Sequence, residues 1–375
     1  MIFGDKSEIG GKGESLLKMT DLGFPIPKFV ILTGKQIEEW KYQDELFEKI
    51  QVILSLFDGP ISIRSSPIVS MPGMMQTVLD SSLDLSNVVD SILKVLDSYD
   101  SKNAILYRKL KGIDVSKPAV ILQRMVYGNS TQGLSGSGVY FSRDNFGKTP
   151  GIFEFKKGVM GEMVVSNQIS YEEFDVLPEQ YCVELQNYSE ILENIQCDSV
   201  ELEFTIENDR LWVLQYRKLS IPNLLSASYV LTDLYRRNGK DDSELQNSLL
   251  QIWKGKSLIT VSQKSDPILV GIGVSPGVSF GEIGNTILYS ETINNDLLTD
   301  LHRYSGVVTK SGGMTAHISI LCRNLQIPYI ICEIPPEMIG TKVILDGTSG
   351  KLYEYSGDIL QIINETNYQS LLEYV

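Results

Sequence analysis

The run VELEFTIENDRLWVLQYR, residues 200–217, decides the fold. Two stretches of apolar and β-branched residues flank Asn208-Asp209, the composition of two strands joined by a tight turn. Residues i and i+2 of a strand point to one face, so Glu201 and Glu203 project together. Thr205 takes the next place on that face, and the acidic series stops there. Gln215 and Arg217 stand in the same i, i+2 relation in the second strand. The pattern predicts one patch holding two carboxylates, an amide oxygen and an arginine. Such a set suits Mg²⁺, a hard ion that takes a few protein oxygens and completes its shell with substrate phosphates and water. Read alone, it equally describes an exposed sheet face laced with salt bridges.

Working outward, AVILQRMVYG (119–128), SGVYFSRD (137–144), GIFEFKKG (151–158) and EMVVSN (162–167) are short runs of strand character separated by Gly, Asn and Asp. Residues 184–196 read as a helix leading into the hairpin. Earlier still, 11–22 is helical and stopped by Gly23, Pro25 and Pro27, and 28–33 is a strand. Residues 34–57 form a helix and 61–65 a short strand running into a loop punctuated by Pro67, Pro72 and Gly73. Two helices follow, near 86–99 and 102–112. Residues 1–217 therefore read as an α+β domain. Residues 218–266 read as a helical connector, with Ser243 as the N-cap of its second helix. From 267 to 375 strands alternate with helices at 291–303 and 316–325, the pattern of a compact β/α domain.

The 375 residues suit two or three domains at roughly 100–200 residues each. The net charge of -14 argues against a nucleic-acid binder, which needs a basic face to displace counterions from phosphates. No run approaches the ~20 apolar residues of a membrane span, and the opening MIFGDKSEIGGKGES lacks the basic and apolar regions of a secretory signal. Cys182, Cys197, Cys322 and Cys332 make no CxxC pair and no disulfide scaffold. A reduced, cytoplasmic protein is expected.

Further motifs carry chemistry. Gly10-Gly11-Lys12-Gly13 opens the first helix, where backbone N–H groups and a lysine can meet phosphate, although the P-loop spacing is absent. Arg64 emerges from a strand into the Gly/Ser loop, suited to bidentate phosphate binding or to a structural ion pair. In Thr309-Lys310-Ser311-Gly312-Gly313-Met314-Thr315-Ala316-His317 a histidine follows a Gly-Gly turn at a helix start, where anions are favoured. A neutral imidazole there can attack phosphorus and carry a phosphoryl group. Arg323 lies six residues on.

These pieces, in this order, resemble the pyruvate phosphate dikinase and phosphoenolpyruvate synthase family. GGKGESLLKMTDLGFPIPKFVILT and SIRSSPIVSMPGMMQTVLD are similar to its ATP-grasp nucleotide-binding domain, and VELEFTIENDRLWVLQYR continues in register. GIGVSPGVSFGEI and KSGGMTAHISILCRNLQIPYII look like its swivelling phosphohistidine domain. The resemblance implies that Lys12, Arg64 and Arg217 bind ATP phosphates, and that Glu203 and Gln215, helped by Glu201, hold Mg²⁺. It implies that Gln123 to Val126, with Gln123 and Met125, form the hinge beside adenine. His317 would accept the β-phosphoryl group of ATP, with Thr315 and Arg323 supporting it, and AMP would leave.

The chain also departs from the family. Thr315-Ala316-His317 replaces the usual Thr-Ser-His, and Glu201 stands where the family has Asp. Only 58 residues follow His317, whereas the family's pyruvate-binding (β/α)₈ barrel needs ~200 or more. The expected function is an ATP-dependent phosphotransferase whose acceptor is an unidentified small molecule or a separate acceptor-domain subunit. The alternative is the nucleotide and phosphohistidine subunit of a split pyruvate phosphate dikinase or phosphoenolpyruvate synthase whose barrel is a separate chain. A non-enzymatic phosphocarrier or regulator is the further alternative. Whether the chain is a homodimer is left open.

Overall fold

The computed structural model describes residues 1–69, 71, 75–113, 117–144, 147–165, 174–219, 221, 224–261, 265–291, 301–313 and 317–364. The chain divides into two compact units, residues 1–134 with 204–216, and residues 135–203 with 217–375.

The first unit contains β1 (Ile2–Phe3), α1 (Gly10–Asp21), β2 (Phe29–Leu32), α2 (Gly34–Tyr42), α3 (Leu46–Leu54), β3 (Ile61–Ser66), β4 (Thr77–Ser81), α4 (Leu85–Asp97), α5 (Lys102–Lys111) and β5 (Ala119–Arg124). Its sheet runs β1-β2-β5-β3-β4, parallel only between β1 and β2. Asp84 caps α4 by accepting from the Asn87 N–H, and Val88, Val89, Ile92, Val95 and Leu96 turn to one buried face. They join Ile50 and Ile53 of α3 and Val30, Leu32, Ile61, Ile63, Val120 and Leu122 of the sheet in one core. Each such aliphatic side chain contributes about 1.5–3 kcal/mol on burial. The helix expected over 34–57 is two helices, because Asp44 adopts a left-handed φ of 57° and turns the chain between α2 and α3.

In the second unit β6 (Gly136–Phe141), β7 (Ile152–Lys157), α6 (Gly161–Val165) and α7 (Glu179–Gln196) precede the hairpin of β8 (Val200–Glu207) and β9 (Arg210–Lys218). The sheet order is β7-β6-β8-β9. Asn208 and Asp209 take φ of 53° and 64°, the two left-handed residues of a tight hairpin turn. The chain passes from one unit to the other within both hairpin strands. Of EMVVSN, expected as a strand, residues 162–165 instead lie in the short helix α6, whose Val164 packs with Val139, Phe141 and Leu219, and 166 and 167 lie outside the described residues. Tertiary packing there outweighs the β-preference of two valines.

Next come α8 (Leu224–Arg237) and α9 (Asp242–Trp253). The cap of α9 is Asp241, which accepts from the Ser243 N–H, so Ser243 is capped rather than capping. Buried Arg143 ties β6 to the helices. Its Nε and Nη2 lie 2.7 and 2.8 Å from the Glu193 carboxylate and its Nη2 2.7 Å from Asp233.

Beyond them lie β10 (Ser257–Val261), β11 (Leu269–Val270), β12 (Ile272–Ser275), β13 (Val278–Glu282), β14 (Ile287–Ser290), β15 (Gly306–Thr309), α10 (His317–Leu325), β16 (Tyr329–Ile331), β17 (Lys342–Asp346), β18 (Lys351–Glu354) and β19 (Leu360–Asn364). They form sheets β12-β16-β15-β14 and β11-β18-β17-β13 and a separate ladder β10-β19. β14, β15 and β16 are mutually parallel, with α10 connecting the last two. Of the helix expected over 291–303, residues 292–300 lie outside the described residues, and Leu301–Arg303 form a 3₁₀ turn. The α+β class of the first part and the mixed β/α character of the last are as the sequence predicts.

Candidate active site

In the first unit, the glycine-rich turn and the arginine strand meet. Gly10 starts α1 with φ +70°, and a Cβ there would stand 2.1 Å from the Ser66 carbonyl oxygen, so only glycine fits. The Ser66 hydroxyl donates to the Ile9 carbonyl at 2.7 Å and accepts from the Gly13 N–H at 3.0 Å. The Gly11 N–H donates to the Pro67 carbonyl at 3.2 Å. This corrects one expectation: two N–H groups of the turn already have protein acceptors and do not form a ready phosphate cradle. Lys12, half-buried on the first turn of α1, remains its cationic element.

Two residues before Ser66, Arg64 gathers two amides. Its Nη2 donates to Gln215 Oε1 at 3.0 Å and its Nη1 to Gln123 Oε1 at 3.4 Å. Gln123 is buried on β5, and its Nε2 has no hydrogen-bond partner among the described residues. A buried amide donor left open in this way costs about 1–3 kcal/mol, and a ligand acceptor would offset that cost. Beyond it, the Arg124 N–H donates to Lys28 and the Met125 N–H to Pro60, at 2.8 and 2.9 Å. The hinge expected at 123–126 therefore has these two N–H groups engaged by protein carbonyls. Tyr216 exchanges two 3.1 Å hydrogen bonds with the Ser15 hydroxyl, fixing β9 on α1.

The second unit assembles the other charges. The Leu219 N–H donates to the Ser199 carbonyl, which sets Glu201 and Arg217 on one face, two residues from each. They form a direct ion pair. Glu201 is buried, and burial pushes its carboxyl above the usual range despite Arg217, with Glu203 adding to the rise. Arg217 keeps much of its side chain exposed, and its partial desolvation is outweighed by Glu201 and Glu203, which hold its proton more firmly.

The helix α10 begins at His317 and carries Arg323 in its last turn. Burial of Arg323 lowers its proton affinity, against which the neighbouring Glu201 and Glu154 carboxylates act; Arg217 adds to the lowering. The structure thus brings together Glu201, Arg217 and Arg323 of the expected set. Thr315 and the His317 side chain lie outside the described residues.

Glu154 was not expected. It is buried on β7, and a Cβ on Gly313 would come within 3.1 Å of its Oε1. Its signal was there to read, as one carboxylate between Phe153 and Phe155 in an apolar strand.

As metal donors, Glu203 and Gln215 offer the oxygen chemistry that Mg²⁺ takes, and Gln215 Oε1 keeps a second lone pair beside the one that Arg64 uses. Among the described residues no cluster of three or more His, Cys, Asp or Glu side chains stands ready to hold a metal. Each of these oxygen donors, taken by itself, suits an ion whose remaining ligands are water and phosphate.

Two family models match the chain: pyruvate phosphate dikinase, AMP/ATP-binding domain, over residues 55–180, and PEP-utilising enzyme, mobile domain, over residues 283–350. The chain is 26% identical to the chloroplastic pyruvate, phosphate dikinase of Mesembryanthemum crystallinum, over 95% of this chain and 52% of that protein. It is 24% identical to chloroplastic pyruvate, phosphate dikinase 1 of Arabidopsis thaliana, over 86% and 46%. The chain spans about half the length of these curated relatives. Solved structures that it resembles include the D-alanine-D-alanine ligase of Helicobacter pylori, with TM-score 0.31, 13% identity, and 62% and 59% of the two chains covered. Another is an ATP-grasp RimK domain protein of Sphaerobacter thermophilus, with TM-score 0.32, 14% identity, and 60% and 67% covered.

Proposed function

We propose that the chain, two segments of which match the nucleotide-binding and mobile domains of pyruvate phosphate dikinases and related enzymes, is an ATP-dependent phosphotransferase of the dikinase type. It moves the β-phosphoryl group of ATP to His317, leaves AMP, and passes the group to an acceptor. The acceptor is a small molecule or a separate acceptor-domain subunit. Residues 1–217 serve as the ATP-grasp nucleotide-binding domain, 218–266 as the connector and 267–375 as the phosphohistidine domain, in a cytoplasmic protein.

The observation that carries this reading is the burial of Arg323, on the helix that begins at His317, beside Glu201 and the Arg217 that pairs with it. The carrier helix and the charged hairpin share one polar cluster.

In this reading Lys12, Arg64 and Arg217 take the ATP phosphates, and Gln123 and Met125 border the adenine. Glu203 and Gln215, with Glu201 nearby, would hold Mg²⁺, which spreads charge over the phosphoryl oxygens when bound. His317 is the nucleophile, placed at a helix start where the backbone N–H groups favour the added phosphate. Thr315 and Arg323 hold that phosphate. Ala316 offers no hydroxyl, which leaves Thr315 as the side-chain donor beside it. Phosphoryl transfer requires little covalent chemistry of the protein beyond this, and positioning and cations supply the rest.

Incubation with ATP labelled at the β position tests the reading. Acid-labile label on the wild-type chain, absent from His317→Ala and accompanied by AMP, is expected. ADP as the product, or label that survives in His317→Ala, overturns it.

A further inference from the structure

Two strand edges stand open in the second unit. β13 is the outer strand of its four-stranded sheet and β10 belongs to the two-stranded ladder, and neither pairs with the other. Between them lies a cleft of about 830 Å³, flanked by residues 257–259 of β10 and 278–280 of β13. All of its lining residues belong to this one unit. Pro276, Ser279 and Pro328 are the buried members of the lining and make its floor. Ile259 and Phe280 stand exposed at its rim.

The polar groups of the cleft are few. The two prolines carry no backbone N–H, and the Pro328 carbonyl accepts from the Val307 N–H at 2.9 Å. Beside them, the Gly277 N–H donates to Thr348 Oγ1 at 3.0 Å, and the Gly277 carbonyl accepts from the Gly347 N–H at 2.8 Å. The Ser279 hydroxyl, by contrast, is buried and has no hydrogen-bond partner among the described residues. A hydroxyl rotates to suit its partner, and a ligand oxygen would offset the cost of leaving it unpaired. Lys256 is the one ionisable side chain of the lining, a cation beside an apolar cleft in a chain of net charge -14. The Phe280 carbonyl already accepts from the Ser305 hydroxyl at 3.4 Å. A strand added to β13 would find that acceptor taken, so a compact ligand suits the cleft better than an extended peptide.

We propose that this cleft is a binding site for a small organic anion with an apolar body, such as an aromatic or branched-chain carboxylate. Its volume lies within the range of ligand pockets, roughly 300–1,000 Å³. The apolar body rests on the prolines, Leu258 and Phe280, the anionic group meets Lys256, and a further oxygen accepts from Ser279. The site is separate from the phosphoryl-transfer chemistry. Gln326 and Pro328 follow one end of α10, and His317 begins the other, about 13 Å away along a helix of nine residues. Binding there does not depend on His317 carrying phosphate.

The experiment titrates the full-length chain with the fluorescent anion 8-anilinonaphthalene-1-sulfonate and with its uncharged relative N-phenyl-1-naphthylamine. Wild type is compared with Lys256→Met, Phe280→Ala and, off the cleft, Lys342→Met. A single anion site per chain is expected, and saturating ATP leaves it filled. Lys256→Met weakens the anion roughly 5- to 10-fold and leaves the uncharged probe within about twofold of wild type. Phe280→Ala weakens both probes several-fold. Lys342→Met changes neither. The bound anion raises the unfolding temperature of wild type more than that of Lys256→Met. Unchanged anion affinity in Lys256→Met or in Phe280→Ala overturns the proposal. So does an equal loss in Lys342→Met, the mark of general charge attraction, or displacement by ATP, which places the probe at the nucleotide site.

Discussion

The guanidinium of Arg323 and the carboxylate of Glu201 are both buried and act on each other's charge. Each is costly to bury alone, and each lowers the other's cost. Arg323→Met therefore leaves Glu201 and Glu154 in a dry environment with one fewer counter-charge. A loss of about 3 kcal/mol in urea unfolding is expected. Arg323→Lys recovers only part of it, since an ammonium is a more strongly hydrated charge than a guanidinium and costs more to bury. A variant as stable as wild type would show that Arg217 alone balances Glu201.

Arg143 presents the same physics in its most enclosed form. Its side chain is 0% exposed and that of Glu193 1%. Arg143→Ala removes the two-bond partner of buried Glu193, leaving it only the partly exposed Arg237, and should cost about 3 kcal/mol. The double variant Arg143→Met, Glu193→Met removes both charges, while Asp233 and Arg237 keep their own 3.2 Å contact. Chemical denaturation should place the double variant well above the single one.

Gly10→Ala meets two penalties at once, a left-handed φ of +70° and a Cβ 2.1 Å from the Ser66 oxygen. Together these should cost about 2–5 kcal/mol. If Lys12 of this turn binds phosphate as proposed, ATP affinity measured by titration calorimetry should fall with it. Gly11→Ala, where a Cβ meets nothing within 4 Å, should be nearly silent.

Stability at high pH depends on Tyr127. Burial, with a 2.6 Å hydrogen bond to Asp80, pushes its phenol from 10.0 up to about 12. Unfolded tyrosine loses its proton near pH 10, while the folded residue keeps it to about pH 12. The folded state thus binds more protons between these values, and stability falls as pH rises through them. Tyr127→Phe should flatten that segment of the unfolding free energy against pH. Parallel curves for the two proteins would refute the assignment.

Regular pattern made much of the fold legible. The alternation around Asn208-Asp209 announced the hairpin, and the stripes of Leu16, Ile50 and Ile53 marked buried helix faces. What escaped depended on three-dimensional neighbours. Nothing in 34–57 announces that Asp44 turns left-handed. EMVVSN has strand composition, but Val164 finds its partners as a helix. Ser243 is a good capping residue, yet Asp241, two residues earlier, takes the cap. In the site, strand spacing placed Glu201 and Arg217 in one patch, while their direct ion pair is seen only in the structure. The occupied N–H groups of the glycine turn were not foreseeable, because their acceptors at Ser66 and Pro67 come from a distant strand end.

The ladder of β10 and β19 bears on how the chain assembles. Val261 faces Leu360 and Ser257 faces Asn364, so the long stretch between the two strands leaves and returns at adjacent points. Zipping that ladder first would mean closing a loop of roughly a hundred residues with no contacts inside it to offset the lost freedom. Once the interior strands have condensed, their ends are already close and the closure costs little. Residues 306–331 should therefore acquire hydrogen-exchange protection during refolding before residues 257–261 do. Earlier protection of β10 would show that the connector helices nucleate the ladder instead.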